Sequence, residues 1–235
     1  CSSPTRGVWA GTYNKPATYT NIVQYVTIQT LGDALDFGDL TTAQGYYGMG
    51  GATSSTRAVY GGGSYYGHPV YVFSNIIQYL TFATTGNMTD FGDMTSNIGF
   101  QGAGSNKTRG IFSGGRTPTS TSVNTIQYVT IATTGNATDF GNTTSAKQSV
   151  GALASPTRAV FGGGQSNVIE YLTIATTGNG TDFGDLISGT TEQPAGTSSS
   201  TRGLFICGES QPSGTKINTI QYITIATTGN ATDFG

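Results

Sequence analysis

One motif is written five times along this chain, and an internal repeat restricts the possible folds more tightly than any single residue does. The segment Asn-x-Ile-Gln-Tyr-x-Thr-Ile-Ala-Thr-Thr-Gly-Asn-x-Thr-Asp-Phe-Gly ends at Gly38, Gly92, Gly141, Gly184 and Gly235. The first copy is looser, with Gln29, Leu31 and Asp33 departing from the pattern. Ahead of each copy stands Thr-Arg-Gly/Ala-hydrophobic-aromatic, with its arginine at Arg6, Arg57, Arg109, Arg158 and Arg202. From each repeat tyrosine (Tyr25, Tyr79, Tyr128, Tyr171, Tyr222) to its phenylalanine (Phe37, Phe91, Phe140, Phe183, Phe234) the distance is always 12 residues. From each arginine to the following tyrosine it is 19, 22, 19, 13 and 20, and from each phenylalanine to the next arginine 20, 18, 18 and 19. Length variation is therefore concentrated in one connection per repeat.

Within a repeat, apolar residues alternate with Thr and Gln over β-branched runs such as Ile126-Gln127-Tyr128-Val129-Thr130-Ile131, which reads as strand. Thr-Thr-Gly-Asn supplies a tight turn, and the Asp-Phe-Gly segment is the next strand. The arginine-bearing run is another strand, ending in a glycine cluster, and a weaker one lies between each Asp-Phe-Gly and the following Thr-Arg. No helical period is present. Four strands per repeat with a period of about 49 residues predict an all-β fold, a five-bladed β-propeller of four-stranded antiparallel blades. A β-solenoid is the alternative, although its coils are normally shorter and vary less in length. The whole of 1–235 is expected to be one domain, with repeats at 1–40, 41–94, 95–143, 144–186 and 187–235, and part of a longer chain. The repeats yield nineteen strands, not twenty. The inner strand of the first blade is missing and is expected from residues beyond Gly235, or the seam is left open.

Spaced glycines in the inner strand, aromatic-Gly-Gly-Gly after the second, and a tyrosine in the third resemble kelch repeats. Phe stands in Asp-Phe-Gly where kelch blades usually carry Trp. The near-identical Thr-Ile-Ala-Thr-Thr-Gly-Asn-Ala-Thr-Asp-Phe-Gly copies also resemble the repeat regions of adhesin-like tail or appendage proteins of marine bacteriophages. That resemblance implies a structural or adhesive protein on a virion or other extracellular surface, with structural chains of the same particle as partners.

Composition narrows the chemistry. The 22 charged residues, a net charge of −2 and the lack of a clustered basic excess argue against nucleic acid as a partner. No apolar run is long enough for a membrane span, and no signal peptide is legible. Two cysteines and one histidine are too few for a Cys- or His-based metal centre, so no metal and no cofactor is expected. Cys1 and Cys207 fall at opposite ends of equivalent strands, beyond disulfide reach, and two free thiols are expected. A lipidated Cys1 is the alternative.

The arginines and the aspartates of Asp-Phe-Gly (Asp36, Asp90, Asp139, Asp182, Asp233) are expected to tie strands and blades together, since a residue required in every blade is architectural. A ring of ligand-binding arginines is the sharper alternative. Asp-Phe-Gly is also a kinase signature, but its companion motifs are missing. The triple glycines precede no helix and read as strand ends. The Asn-x-Thr sequons fall in the repeated turn. Trp9 aligns with Tyr60, Phe112, Phe161 and Phe205 and is expected in the core.

Up-and-down strands put all the length-variable connections at one face, with the near-constant turns at the other. Rigid scaffolds presenting variable loops are commonly binding proteins. Aromatics outside the repeat positions all precede residue 101. The Ser-Tyr-Tyr-Gly-His-Pro-Val-Tyr stretch from Ser64 to Tyr71 has the Tyr/Ser/Gly character of a paratope. Tyr13, Tyr19, Tyr46, Tyr47, Tyr65, Tyr66, His68, Tyr71 and Arg116 form the candidate ligand-binding set, for a surface glycan or a protein receptor. The bland alternative is a long loop packing its own tyrosines. The function expected is a non-enzymatic recognition or adhesion module. A structural spacer or decoration domain is the alternative, and a glycoside-active enzyme a further one, disfavoured because only Glu192 could supply an off-repeat channel carboxylate.

Overall fold

The computed structural model describes residues 1–14, 18–42, 48–66, 70–187, 189 and 191–235, and the side chains of 12–14, 18–19 and 66 lie outside the description. Among the described residues the regular structure is antiparallel sheet throughout, with no helix. The first sheet holds β1 (Arg6–Asn14), β2 (Thr18–Thr27) and β3 (Leu35–Asp39). In the second, β4 (Gly50–Thr53) and β5 (Arg57–Gly61) are followed by a separate hairpin, β6 (Ser64–Tyr66) and β7 (Tyr71–Phe73). The sheet then resumes with β8 (Ile76–Thr81) and β9 (Thr89–Asp93). The third is β10 (Gly102–Ser105), β11 (Arg109–Ser113), β12 (Val123–Thr130) and β13 (Thr138–Lys147). The fourth is β14 (Val150–Ala154), β15 (Arg158–Gly163), β16 (Val168–Thr173) and β17 (Thr181–Asp185). Next come β18 (Thr191–Glu192), β19 (Ala195–Ser198), β20 (Arg202–Ile206), β21 (Glu209–Ser210), β22 (Thr215–Lys216), β23 (Ile220–Thr224) and β24 (Thr232–Asp233). Of these, β19-β20-β23-β24 make the fifth sheet, and β18-β21-β22 a small accessory one.

Among the described residues the first sheet has three strands and only the stub of an inner one. Ser2 bridges to Gly7, and Cys1 and Val8 exchange backbone hydrogen bonds. These two residues occupy the register positions that Ala52 and Thr53 hold against Val59 and Ala58 in the second sheet.

The repeat motif explains how neighbouring sheets adhere. Gly86 N–H donates to Phe37 C=O, Met88 N–H to Asp39 C=O, and Asp39 N–H to Asn87 Oδ1. The same three bonds recur at Gly135, Ala137 and Asn136, at Gly178, Gly180 and Asn179, and at Gly229, Ala231 and Asn230. The Thr-Thr-Gly-Asn turn of each sheet thus lies on the fourth strand of the one before. Glycine is obligatory at the contact: a Cβ on Gly141, whose φ is 147°, would sit 2.4 Å from Gly178 O. The sequons are therefore structural, because their asparagines cap backbone donors of the preceding sheet.

The arginines add a second clamp. Each stacks over the tyrosine of its own sheet, at 4.3–4.7 Å from the centroid. Arg6 then donates to Phe82 C=O, Arg57 to Ile131 and Ala132, Arg109 to Ile174 and Ala175, and Arg158 to Ile225 and Ala226. The expected tie between sheets is present for these four, but its acceptors are carbonyls. The Asp-Phe-Gly aspartates do not share in it. All five are exposed and enter no ion pair among the described residues.

Apolar clusters fill the spaces between successive sheets, and one correction follows from them. Trp9 is 54% exposed, whereas Tyr60, Phe112, Phe161 and Phe205 are at 6% or less. Phe112 lies against Gly50 and Gly61, Phe161 against Gly102, and Phe205 against Gly151 and Gly162, always glycines of the preceding sheet. Among the described residues no such sheet covers Trp9. At the other end Phe234 is 52% exposed, although its four counterparts are buried.

Candidate functional site

Strand register fixes two distinct ends for the sheets. Gly50 pairs with Gly61, Gly102 with Ser113, Val150 with Gly163 and Ala195 with Ile206. The start of each first strand and the end of each second strand therefore share an end with the length-variable connections. At the opposite end are the Ser-x-Thr-Arg turns, closed by Ser54, Ser155 and Ser199 hydroxyls, and in the third sheet by Asn106, each accepting from the arginine N–H. Turn residues of all five sheets, among them Pro4, Ser55, Lys107, Pro156 and Ser200, line one cavity of about 400 Å³. Cys1 and the small residues of β4, β10, β14 and β19 line a second, of about 520 Å³.

The variable end is built, not merely long. The β6–β7 hairpin pairs Tyr65 with Val72 and Tyr66 with Tyr71. Tyr71 is exposed, while Tyr65 is half-buried and packs on the core between the first two sheets. Tyr13 and Tyr19 pair across β1 and β2, and their side chains, with that of Tyr66, fall outside the description. Tyr46, Tyr47 and His68 lie outside the described residues altogether. Arg116 exchanges backbone bonds with Gly99 and donates from Nη2 to Ser120 Oγ at 2.7 Å. The structure thus brings Tyr65, Tyr66 and Tyr71 together on one hairpin and anchors Arg116 at the same end.

Off-repeat charges are mostly consumed locally. Lys216 pairs with Glu209 across β21 and β22, and Glu192 accepts from Gln211 Nε2. Cys1 and Cys207 are free thiols. Glu170 stands where other repeats carry Gln24, Gln78, Gln127 and Gln221. Gln78, Gln127 and Gln221 are buried and accept from backbone N–H groups of the preceding sheet, at Thr41, Thr95 and Ile187. Glu170 accepts likewise from Thr144 N–H, and its second oxygen pairs with Lys147. Lys147 occupies the place of Ile98, so two substitutions, one at the end of the third sheet's last strand and one in the fourth sheet, create one buried ion pair. Neither change is informative alone in the sequence, and only packing shows that they meet.

Sequence reasoning also missed a third cavity, of about 350 Å³, at the variable end. Its walls are pairs of residues at one repeat position: Gly48-Met49, Phe100-Gln101, Ser149-Val150 and Gln193-Pro194. The first member of each pair has positive φ, which the glycine at 48 signals but Phe, Ser and Gln conceal. Among the described residues no group of His, Cys, Asp and Glu could hold a metal ion, and no helix is long and apolar enough to cross a membrane. No protein-family model and no curated protein matches the chain.

Proposed function

We propose that the chain is a five-bladed β-propeller, kelch-like in its repeats, acting as a non-enzymatic recognition or adhesion module on a virion or other extracellular surface. The fold reading is supported by the order of the five sheets, by the sheet-to-sheet clamps running in one direction, and by the convergence of all five turns on one cavity. The exposed faces at Trp9 and Phe234 flank the seam. The functional reading rests on one observation: extra structure, namely the β6–β7 hairpin and the β18-β21-β22 sheet, is confined to one end of the sheets. Near-constant turns and the clamps of four arginines account for the other end. A scaffold that varies at one end only is organised for contact there.

The ligand is a surface glycan or a protein receptor met by Tyr65, Tyr66, Tyr71 and Arg116. The test is binding of the labelled protein to a glycan array and to intact cells. Loss of signal in Tyr65→Ala/Tyr71→Ala, with unchanged circular dichroism, is the expected result. Full retention removes the hairpin as the contact surface.

A further inference from the structure

We propose that the seam between the fifth and first sheets is a latch: its polar clamp is set to close, and Ala195 and Ile206 hold Trp9 off and keep it open. The inference rests on the propeller reading for which sheets face each other. Residues from both sides of the seam, Cys1 and Ser2 on one and Gly196, Thr197 and Ser198 on the other, line the same cavity of about 520 Å³.

The clamp half of the other four junctions is ready at the seam. Gly235 has a φ of 145°, matching 144–147° at Gly38, Gly92, Gly141 and Gly184, each of which lies under the next sheet's turn. A Cβ on Gly235 would meet nothing within 4 Å among the described residues. The turn of the first sheet is equally open, and Gly32 has a φ of 158°, close to the 152–156° of Gly86, Gly135 and Gly229. Arg202 stacks on Tyr222 as its counterparts stack on theirs, with no carbonyl partner among the described residues. Ile28 and Gln29 hold the places of Ile131 and Ala132, the residues whose carbonyls Arg57 grips.

The aromatic half does not match. At three junctions the incoming ring enters a socket made by a facing pair on the first two strands of the preceding sheet. Phe112 enters at Gly50 and Gly61, Phe161 at Gly102, which faces Ser113, and Phe205 at Gly151 and Gly162. A Cβ on Gly50, Gly151 or Gly162 would already stand 2.8–3.1 Å from the ring. At the fourth junction the second-strand residue beside Tyr60 is Ala10. The fifth sheet carries Ala195 and Ile206 at this pair. A branched side chain thus plugs the socket just where the incoming ring is the largest of the five. Closing the clamp in the geometry of the other junctions drives the indole into Ile206, and such overpacking displaces side chains and backbone. Apolar surface pulls the other way, because Trp9, Ile28 and Phe234 are all more than half exposed and their counterparts all buried.

Trp9 is the sole tryptophan and reports the state of the seam. The experiment compares its emission maximum and acrylamide quenching in the full chain and in two variants. Ile206→Ala installs the residue that Ala10 presents beside Tyr60, and Ala195→Gly/Ile206→Gly copies the socket of the fourth sheet. Wild-type Trp9 is expected to be exposed at every protein concentration. Both variants are expected to shift emission to the blue and to lower the quenching constant, several-fold in the double variant. Adding Arg202→Ala is expected to restore exposure. Circular dichroism checks the fold, and Ile206→Ala alone decides if the double variant does not fold. A protected wild-type Trp9 overturns the proposal, whether in the monomer or only as the mass doubles in sedimentation. So does quenching unchanged in the folded variants, or protection that survives Arg202→Ala. Small-angle scattering of the wild type separates this failure from that of the ring. A compact chain of this length has a radius of gyration of about 17–18 Å. An elongated array removes the ring reading and the latch with it, whereas a compact ring with unresponsive Trp9 removes the latch alone.

Discussion

Removing the clamp arginines one at a time separates the energy of the aromatic stack from that of the contact between sheets. Arg109 lies 4.7 Å from the Tyr128 centroid and donates from Nη1 to Ile174 and Ala175 carbonyls at 2.8 and 2.9 Å. Arg202 makes the same stack on Tyr222, also at 4.7 Å, with no carbonyl bond among the described residues. A partly exposed cation–π contact contributes about 1 kcal/mol. The two carbonyl bonds, one of them solvent-exposed, contribute roughly 1 kcal/mol each. Arg109→Ala is therefore expected to cost about 3 kcal/mol and Arg202→Ala about 1 kcal/mol. Urea unfolding of the two variants beside the wild type measures the difference, with the slope checked for constancy. Arg158→Ala, whose bonds match those of Arg109, should follow Arg109→Ala. Equal losses at positions 109 and 202 would refute the inter-sheet clamp and leave only the stack.

Four further expectations follow from particular contacts. Lys147→Ile alone strands a buried carboxylate and should cost about 3–5 kcal/mol, whereas Lys147→Ile/Glu170→Gln restores the residues of the third sheet's repeat and should recover most of it by the same urea assay. Gly141→Ala places a Cβ 2.4 Å from a backbone oxygen at positive φ and should lose about 2–5 kcal/mol in thermal unfolding, while Gly235→Ala, with open space around it, should lose far less. Trp9 is the sole tryptophan, so its exposure predicts red-shifted emission and ready acrylamide quenching; a blue-shifted, protected spectrum would mean that the seam is covered. Burial raises the pKa of the Tyr60 hydroxyl, which donates to Val8 C=O. Its protonated form is favoured in the folded state, so this contribution to stability is full below the ordinary tyrosine range and is lost as pH rises above it. Tyr60→Phe should flatten that alkaline loss in a series of unfolding curves.

Much of the fold was legible because a repeat announces itself. Alternation gave the strand type of runs such as Ile126–Ile131, the constant 12-residue spacing gave the third-to-fourth hairpin, and uneven spacing gave the variable end. Nineteen strands assigned by pattern correspond to those of the five main sheets. The candidate site was less legible. Tyrosine composition singled out the β6–β7 hairpin, yet the cavity beside it is framed by isolated residues in an otherwise ordinary connection.

By itself the sequence determined the local conformation and the side chains required in each copy: strand, tight turn, arginine over tyrosine. Those are short-range demands, written within one repeat. Tertiary structure alone decided what depends on contact between sheets. It exposed Trp9 where four equivalent aromatics are buried, paired Lys147 with Glu170, and sent the arginines to carbonyls instead of aspartates. The physical reason is that burial belongs to the neighbour, not to the residue: identical copies differ in environment once one of them has no sheet against its face.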